Sequence, residues 1–284
     1  MEEKILIAMS GGVDSSVAAH LILQDGFSCG GATMKLCDDR LLGQPAPDTV
    51  SDAQNVTEKL GIPFYVLDKT ESFCQNVVDE FVRCYESGGT PNPCIYCNKH
   101  LKFDVFLQNA LDLGYTHIAT GHYAKITFHQ PSGRYLLYRA DDKTKDQSYF
   151  LFCLSQYQLA HTKFPLGRLT KEQVREIAEQ QGFLNAKKRD SQDICFIPDG
   201  DYKAFLERYT QKTYPSGNLL DRHGNILGQH SGAVGYTLGQ RKGLGVAMGQ
   251  PMYVCEKNME ENTVTIGTNE DLFHKSLRAN NWNW

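Results

Sequence analysis

The chain has 284 residues, of which 41% are hydrophobic and 22% charged, and its formal net charge is −4. This length allows one large domain or two ordinary ones, and the composition is that of a soluble globular protein. The small negative charge excludes a surface that is basic throughout, so a nucleic-acid partner would need a local basic face. The sequence has no apolar run near the roughly 20 residues that cross a bilayer, and its acidic N-terminus lacks the pattern of a secretory signal. We therefore expect a cytoplasmic protein with no membrane partner.

Strands and helices alternate over the first 120 residues. The apolar run "KILIAMS" (Lys4–Ser10) has the pattern of a strand buried on both faces of a parallel sheet, and it leads through two glycines into a helix ending at Gly26. Further strands are predicted in "CGGATMKL", "IPFYVLD" and "THIAT", and helices in "VSDAQNVTEKLG", in "ESFCQNVVDEFVRCYESGG" and around residues 99–113. This alternation predicts an α/β fold with a doubly wound, mostly parallel sheet.

The pattern changes towards the C-terminus. A strand is predicted in "RYLLYR", a helix from "DQSYFLFCL", and a second helix from "LTKEQVREIAEQQG", where Thr170 and Gln173 form a capping box. After roughly Pro215 glycines are frequent, helical periodicity is lost, and short strands meet at turns. We therefore predict an α/β domain over residues 1–210 and a small β-rich domain over residues 211–284.

The segment "AMSGGVDSS" joins the first strand to the first helix. Its glycines allow a tight turn with inward-pointing amides, and the helix N-terminus adds positive partial charge, so the segment suits a phosphate. It lacks the Lys-Ser/Thr ending of a Walker A loop. Asp14 needs either a magnesium ion or a helix-capping role to be tolerated beside phosphates. The simpler alternative is a capped helix start whose glycines serve only the turn.

Three of the nine cysteines stand in informative positions. Cys94 and Cys97, in "TPNPCIYCNK", could be a metal clip, a redox couple, a sulfur carrier or a chance pair. They precede the predicted helix "NKHLKFDVFL", whose N-terminus would stabilise a thiolate, and a zinc half-site here would have no second cysteine pair to complete it. Cys195 follows the basic residues 187–189 in a predicted short strand, "ICFI", where a buried core cysteine is the common alternative to a reactive one.

Seven segments together resemble one enzyme family. "SGGVDS" is similar to the PP-loop of ATP pyrophosphatases, which cleave ATP at the α-phosphate. The wider set "MSGGVDSS", "TPNPCIYCNKHLKF", "ATGHYA", "KDQSYFL", "LGRLTKEQVREIA", "SQDICFI" and "YTLGQRKGLGV" resembles the tRNA-specific 2-thiouridylase family, in family order and over nearly the whole chain. The resemblance implies a sulfurtransferase that uses ATP and Mg²⁺ to replace O2 of the wobble uridine, U34, of tRNA with sulfur, releasing AMP and pyrophosphate.

The resemblance also implies residue roles. Cys195 would accept persulfide sulfur from a donor or relay protein, and Cys97 would be its partner at the nucleophile position, with a Cys97–Cys195 disulfide left after the reaction. The remaining positions are, for ATP, Ala8, Met9, Ser10, Gly11, Gly12, Val13, Asp14, Ser15, Met34 and Gly121; for the target base, Asn92, Pro93 and Cys94; and for other parts of the tRNA, His122, Lys145, Asp146 and Gln147.

Two departures from the family pattern leave alternatives open. The best-known members have aspartate where this chain has Cys94, so three thiolates, those of Cys94, Cys97 and Cys195, could hold a [4Fe–4S] cluster or zinc in place of a persulfide relay. The chain also ends about where a C-terminal β-barrel of the family would begin, so we expect that barrel to be absent. The loop Gly239–Gly245 and the cluster Lys187–Arg189 are then the remaining phosphate-binding candidates.

Two other functions compete with sulfur transfer. A nitrogen-transferring PP-loop ligase would share the ATP site but would not depend on Cys97 and Cys195. A non-catalytic nucleotide- or RNA-binding module would bind ATP without releasing pyrophosphate when tRNA is added.

Overall fold

The computed structural model describes residues 2–188, 194–246, 249–280 and 282–283. The chain divides into two compact units: the first comprises Met1–Asn76, Cys94–Gln192 and Asn283–Trp284, and the second Val77–Pro93 and Asp193–Trp282. None of the helices in these ranges combines the length and apolar character that a bilayer crossing requires. The boundary near residue 210 stays a prediction.

The described residues form these strands, numbered along the chain: β1 (Lys4–Ala8), β2 (Ser28–Lys35), β3 (Phe64–Asp68), β4 (His117–Ala119), β5 (Ala124–His129), β6 (Arg134–Arg139), β7 (Thr162–Lys163), β8 (Gly217–Leu220), β9 (Ile226–His230), β10 (Tyr253–Asn258) and β11 (Thr263–Gly267).

The α-helical segments are α1 (Val13–Gln24), α2 (Asp39–Leu42), α3 (Thr49–Leu60), α4 (Thr70–Phe73), α5 (Asp79–Glu86), α6 (Pro93–Tyr96), α7 (Phe106–Asp112), α8 (Gln156–Ala160), α9 (Lys171–Gln180) and α10 (Tyr202–Thr210). Two π-helical stretches continue α4 and α6, at Cys74–Val78 and Cys97–Val105.

The first unit is built on a five-stranded sheet in the order β3-β2-β1-β4-β7, in which every paired strand is parallel. Ile5 and Ile7 of β1 pack into a core with α1, α3 and α9, while Leu6 packs into a second core with the helical segments around Phe103 and Phe106. Because successive residues of a strand point to opposite faces, helices cover both faces of the sheet. The predicted doubly wound α/β fold is confirmed.

The helix predicted from "DQSYFLFCL" is wrong. The segment instead forms a short 3-10 turn at Ser148–Leu151, and α8 begins only after it. Asp146 accepts bonds from the Ser148 amide (3.4 Å) and hydroxyl (2.8 Å), and the Phe150 carbonyl accepts from the Asn98 side chain, so these groups are held by local and tertiary contacts. A capping box on Ser155 then starts α8.

Two other helix starts bear on the candidate site. The capping box of Thr170 and Gln173 is confirmed at the start of α9. The helix predicted around residues 99–113 begins earlier, at Pro93, which suits the first helical position because its missing N–H would have no partner there. Cys94 and Cys97 therefore lie within the helix and not before it.

The second unit contains a four-stranded sheet in the order β10-β11-β8-β9, with β8 and β11 parallel and the other pairs antiparallel. The predicted strand "ICFI" is wrong: Ile197 N donates to Ile194 O at 2.9 Å and closes a turn there. Phe196 and Ile197 are both buried, whereas a half-buried strand would alternate. Phe196 packs against Phe81 and Phe205, each with ring centroids 5.1 Å away.

Candidate functional site

Two cavities of the first unit lie at opposite ends of its sheet. One, of about 800 Å³, is lined by Glu3 and His117 at the amino ends of β1 and β4. The other, of about 230 Å³, lies at the carboxyl ends of β1, β2 and β4. Ligands of open α/β sheets bind outside the carboxyl ends where the strand order reverses, and here the order reverses between β1 and β4. We therefore take the smaller cavity as the candidate site, and call it the phosphate-loop cavity.

The phosphate-loop cavity collects residues that are distant in the sequence. Its lining is Ala8, Met9, Ser10, Asp14, Ser15, Ala32, Met34, Leu36, Lys102, Thr120, Gly121, His122 and Gln147. Seven of these were predicted for ATP and two, His122 and Gln147, for tRNA. Among the remaining predicted positions of the described chain, the structure does not place these in the lining: Gly11, Gly12, Val13, Asn92, Pro93, Cys94, Cys97, Lys145, Asp146 and Cys195.

The loop from β1 to α1 is shaped by its glycines and serines. Gly11 has φ +71°, and a Cβ there would come within 2.8 Å of the Thr49 carbonyl oxygen, so only glycine fits. The Ser15 hydroxyl accepts from the Ser10 amide at 3.2 Å and donates to the Gly12 carbonyl at 3.0 Å. No side chain caps α1 at Gly12. The loop therefore offers the open helix N-terminus that an anion requires.

Asp14 has a basic partner that the sequence did not reveal. The Lys171 ammonium lies 2.7 Å from Asp14 Oδ1, and the Tyr123 hydroxyl donates to the same oxygen at 2.9 Å. Only 7% of the Lys171 side chain is exposed, against 31% for Asp14. Neither helix capping nor a metal is therefore needed to tolerate this carboxylate. Lys171 opens α9 within the segment "LGRLTKEQVREIA", which resembles the family but carried no predicted role for the lysine itself.

Gly121 and His122 follow β4 at the base of the cavity. A Cβ on Gly121 would come within 2.8 Å of backbone atoms of Asp14 and Ser15, so β4 approaches the loop at a distance that only glycine permits. His122 Nδ1 lies 2.8 Å from the Thr120 hydroxyl. Burial, and then the nearby Lys102 cation, hold the pKa of His122 well below its usual range. His122 is thus neutral at pH 7, and Lys102 is a cation in the lining that the sequence did not predict.

Gln147 lines the cavity and also forms two hydrogen bonds with the backbone of Tyr123. The side-chain oxygen of Gln147 accepts from the backbone amide of Tyr123 at 2.9 Å, and the backbone amide of Gln147 donates to the Tyr123 carbonyl at 2.9 Å. Asp146 accepts from the Ala140 amide at 2.9 Å and from Ser148, so its carboxylate is engaged in shaping the loop. Lys145 is half-buried. The predicted contact segment is therefore an ordered loop, with Gln147 as its cavity-facing member.

Comparison with known proteins identifies the family. The model of the tRNA methyl transferase HUP domain matches residues 3–199, and that of the tRNA methyl transferase PRC-barrel domain matches residues 203–268. The tRNA-specific 2-thiouridylase MnmA of Clostridioides difficile (strain 630) is 48% identical over an alignment of 289 positions that covers all of this chain and 80% of that protein. The chain belongs to the tRNA-specific 2-thiouridylase family. The Treponema denticola protein of the same name is also 48% identical, over 99% of this chain and 77% of that protein.

One solved structure, that of another tRNA thiolase, is more distant. The U34-tRNA thiolase NcsA from Methanococcus maripaludis with its [4Fe–4S] cluster is 17% identical, and the alignment covers 73% of this chain and 66% of that one with a TM-score of 0.40. A likeness this low carries no argument about this 2-thiouridylase-family chain.

The cysteines predicted from the family lie in different units. Cys97 is buried in the first unit, where Cys94 is exposed, and Cys195 is exposed on the turn of the second unit. The pairing of Cys97 with Cys195 therefore stays a prediction. Within the part of the chain that the structure describes, no three His, Cys, Asp or Glu side chains converge as a metal-binding group. The cluster and zinc alternatives gain no support from these residues.

The two basic candidates of this family member differ in whether an ion pair occupies their described cations. Lys188 forms an ion pair with Asp52 at 2.6 Å, and Arg189 lies outside the described residues. In the loop Gly239–Gly245, Arg241 and Lys242 are both exposed. That loop is the better candidate for a phosphate contact.

Proposed function

We propose that the chain is an ATP-dependent tRNA-uridine 2-sulfurtransferase of the cytoplasm, acting on the wobble uridine, U34. The observation that carries this proposal is the phosphate-loop cavity, which brings Ser10, Asp14 and Ser15 of the loop together with His122 and Gln147. An anion site and candidate RNA positions thus share one space, as a reaction between ATP and a tRNA base requires.

The residues present fit ATP with a magnesium ion. The uncapped start of α1 and the Lys102 ammonium would hold phosphate oxygens, with Met34 and Gly121 beside the adenosine part. Asp14 is a carboxylate in the lining, and magnesium in nucleotide sites typically takes one or two carboxylates plus phosphate oxygens. Bound magnesium would supply charge neutralisation on the departing pyrophosphate.

The first step activates the base. The uracil O2 attacks the α-phosphorus of ATP, the bond to the β-phosphate oxygen breaks, and pyrophosphate leaves while the N3 proton is lost to solvent. Carbon C2 now carries AMP, a far better leaving group than oxide. His122 can serve this step as a hydrogen-bonding group for the base, because it is neutral at pH 7 and so adds no charge.

The second step delivers sulfur. The outer sulfur of a Cys195 persulfide, loaded by a donor or relay protein, attacks C2 and AMP leaves. The Cys97 thiolate then attacks Cys195 Sγ, breaking the S–S bond to give 2-thiouridine and a Cys97–Cys195 disulfide, which a dithiol reductant returns to two thiols. In a variant order, Cys97 first releases the sulfur as sulfide. The exposed turn of Cys195, held by Phe196 and Ile197, suits contact with a donor protein.

The test follows pyrophosphate release and 2-thiouridine formation separately. Protein purified without oxygen and analysed for iron and zinc is assayed with U34-containing tRNA, ATP and a persulfide donor. With magnesium present in the assay, we expect protein free of iron and zinc to be fully active. Cys97→Ser and Cys195→Ser should each lower thiolation by roughly 1000-fold or more while pyrophosphate release continues. Cys255→Ser, a half-buried cysteine of β10, is the matched control and should behave as wild type.

Other results would replace the proposal. Activity that appears only after iron reconstitution would favour the cluster on Cys94, Cys97 and Cys195. Pyrophosphate release with no thiolation and no effect of either serine variant would favour a nitrogen-transferring ligase. No pyrophosphate release with tRNA would favour a binding module.

A further inference from the structure

Two aromatic side chains stand exposed on and beside the 3-10 turn that follows Gln147. Tyr149 is 66% exposed and Phe152 54% exposed. The Tyr149 ring lies edge-on to Phe150 with centroids 5.5 Å apart, and 6.4 Å from the Phe152 ring. Two exposed aromatic rings close together beside a candidate site offer a surface on which a ligand can stack. We call Tyr149 and Phe152 the aromatic platform.

The platform is tied to the cysteine helix. Asn98, which follows Cys97 and is only 1% exposed, donates from its side chain to the Phe150 carbonyl at 2.9 Å. The Cys153 sulfur lies 3.9 Å from the Ile95 carbonyl oxygen, a second link to the same helix. Tyr149 therefore sits one residue from a backbone group fixed beside Cys97, and two residues from Gln147 in the cavity lining.

The backbone beneath the rings is held in place. Asp146 accepts from Ser148 at the start of the turn, and the Asn283 side chain donates to the carbonyls of Phe152 (2.9 Å) and Leu154 (3.1 Å) at its end. A surface whose backbone is fixed before binding loses little entropy when a ligand stacks on it. The platform thus has the rigidity of a preformed binding surface.

We propose that the aromatic platform stacks a nucleotide adjacent to the target uridine in the tRNA anticodon loop. This inference rests on the proposed function. Bringing one base into the cavity breaks its stacking with both neighbours, and single-stranded bases stack favourably on aromatic side chains. The exposed Lys143 lies a few residues before the platform in the sequence and supplies a cation on the same segment for an RNA phosphate. This cation favours RNA over an apolar protein partner.

The test measures binding of an anticodon stem-loop that carries 2-aminopurine on either side of U34. Tyr149→Ala should raise the Kd roughly 10-fold or more and abolish stacking-induced quenching. Tyr149→Phe should keep the wild-type Kd and the quenching, because its ring remains. Tyr157→Ala is the matched control, since Tyr157 is 57% exposed on α8 and its ring packs on His161. Urea midpoints and the KM for ATP should stay at wild-type values in all three.

A second readout separates RNA from protein contacts. Single-turnover thiolation is run with sodium sulfide as the sulfur source, so that no donor protein takes part. The Tyr149→Ala defect should persist there and be overcome at saturating stem-loop.

Wild-type stem-loop affinity and quenching in Tyr149→Ala, or a defect seen only with a persulfide-donor protein, would overturn the proposal. If wild-type protein binds the stem-loop with quenching but makes no 2-thiouridine, the proposed function fails while the platform stands; if wild type does not bind it, the platform fails.

Discussion

At the scale of single residues, the ion pair of Asp14 with Lys171 decides how the phosphate loop can hold an anion. An uncompensated carboxylate about 6 Å from a phosphate charge would repel it by about 3 kcal/mol at an effective dielectric constant of 20. The Lys171 ammonium at 2.7 Å cancels most of that repulsion, and the Tyr123 hydroxyl holds the carboxylate in place. We therefore propose that Lys171 is a positioning residue that makes the loop compatible with ATP.

We predict that Lys171→Met lowers the free energy of unfolding by about 2 kcal/mol and raises the KM for ATP. The stability loss is less than the roughly 3–5 kcal/mol of a fully buried broken pair because Asp14 remains 31% exposed and can recruit water. Urea denaturation measures the first effect and pyrophosphate release the second. Lys125→Met is the control: its pair with Asp141 is more exposed and should be worth less than about 1 kcal/mol.

A double variant tests the cause. If the unpaired carboxylate is responsible, adding Asp14→Asn to Lys171→Met should recover part of the lost stability. A double variant that loses the sum of both single effects would show that Lys171 acts through packing alone.

Single residues also mark what the sequence could predict about the site. Ser10, Asp14 and Ser15 were found because their chemistry is local to one loop. Lys171 was not, because it reaches Asp14 across 157 positions and the segment around it does not indicate which residue it contacts. Lys102 was missed for the same reason: its place in the cavity depends on how a helix packs on the sheet, which periodicity does not specify.

At the scale of elements, Lys257 connects β10 to the chain that follows α5. Its ammonium donates to the carbonyls of Tyr236 (2.7 Å) and Gly89 (3.3 Å) and lies 5.5 Å from the centre of the Tyr85 ring. Burial lowers the pKa of Lys257 to about 8. Lys257 therefore joins two parts of the second unit through its hydrogen bonds, while burial disfavours its charged form, so the folded chain releases this proton in mild alkali.

We predict that the free energy of unfolding of the wild type, relative to that of Lys257→Met, increases as pH rises from 7.5 to 9.5. Between about pH 8 and the ordinary pKa of 10.5, the unfolded chain keeps a proton that the folded chain has released, so unfolding becomes less favourable as pH rises. Partial exposure reduces the effect to less than about 1 kcal/mol per pH unit. Urea denaturation at three pH values measures it.

Lys212→Met is the control for this pH series. Its ion pair with Glu86 raises the pKa of Lys212, so no alkaline gain is expected between pH 7.5 and 9.5. A wild-type advantage that stays constant over this range would contradict the predicted loss of the Lys257 proton.

Elements were predicted best where periodicity is long and caps are local. The capping box of Thr170 and Gln173 started α9 as expected. The strand "ICFI" failed because four apolar residues fit a strand and a buried turn equally well, and the aromatic contacts of Phe196 decided between them. The predicted start of the helix that contains Cys97 is too late, because the prediction does not use the preference of proline, here Pro93, for the first helical position.

At the scale of the whole molecule, the nucleotide should stabilise one unit selectively. The phosphate-loop cavity is lined by residues of the first unit. We predict that MgATP at about 100 times its Kd adds about 2.7 kcal/mol to the opening free energy of that unit, and slows exchange of its core amides roughly 100-fold. Hydrogen exchange at Ile5–Ile7 measures this, with Val254 and Val264 of the second unit as unaffected controls.

Equal slowing of exchange in both units would contradict this prediction, because it would show that they open as one.

Alternating strands and helices predicted the parallel sheet, but nothing in Val77–Pro93 indicated that this helical stretch belongs with residues more than 100 positions later. Such membership depends on tertiary aromatic contacts, among them Phe81 with Phe205.

The separation of Asp14 from Lys171 has a consequence for biosynthesis. A ribosome releases the phosphate loop early, but the carboxylate lacks its counter-charge until the start of α9 has also left the exit tunnel. A nascent or prematurely terminated chain shorter than this carries the motif without the neutralised pocket, and we expect it to bind ATP more weakly. We therefore expect full affinity for ATP only after the 157 positions that follow the aspartate have been both synthesised and released from the tunnel.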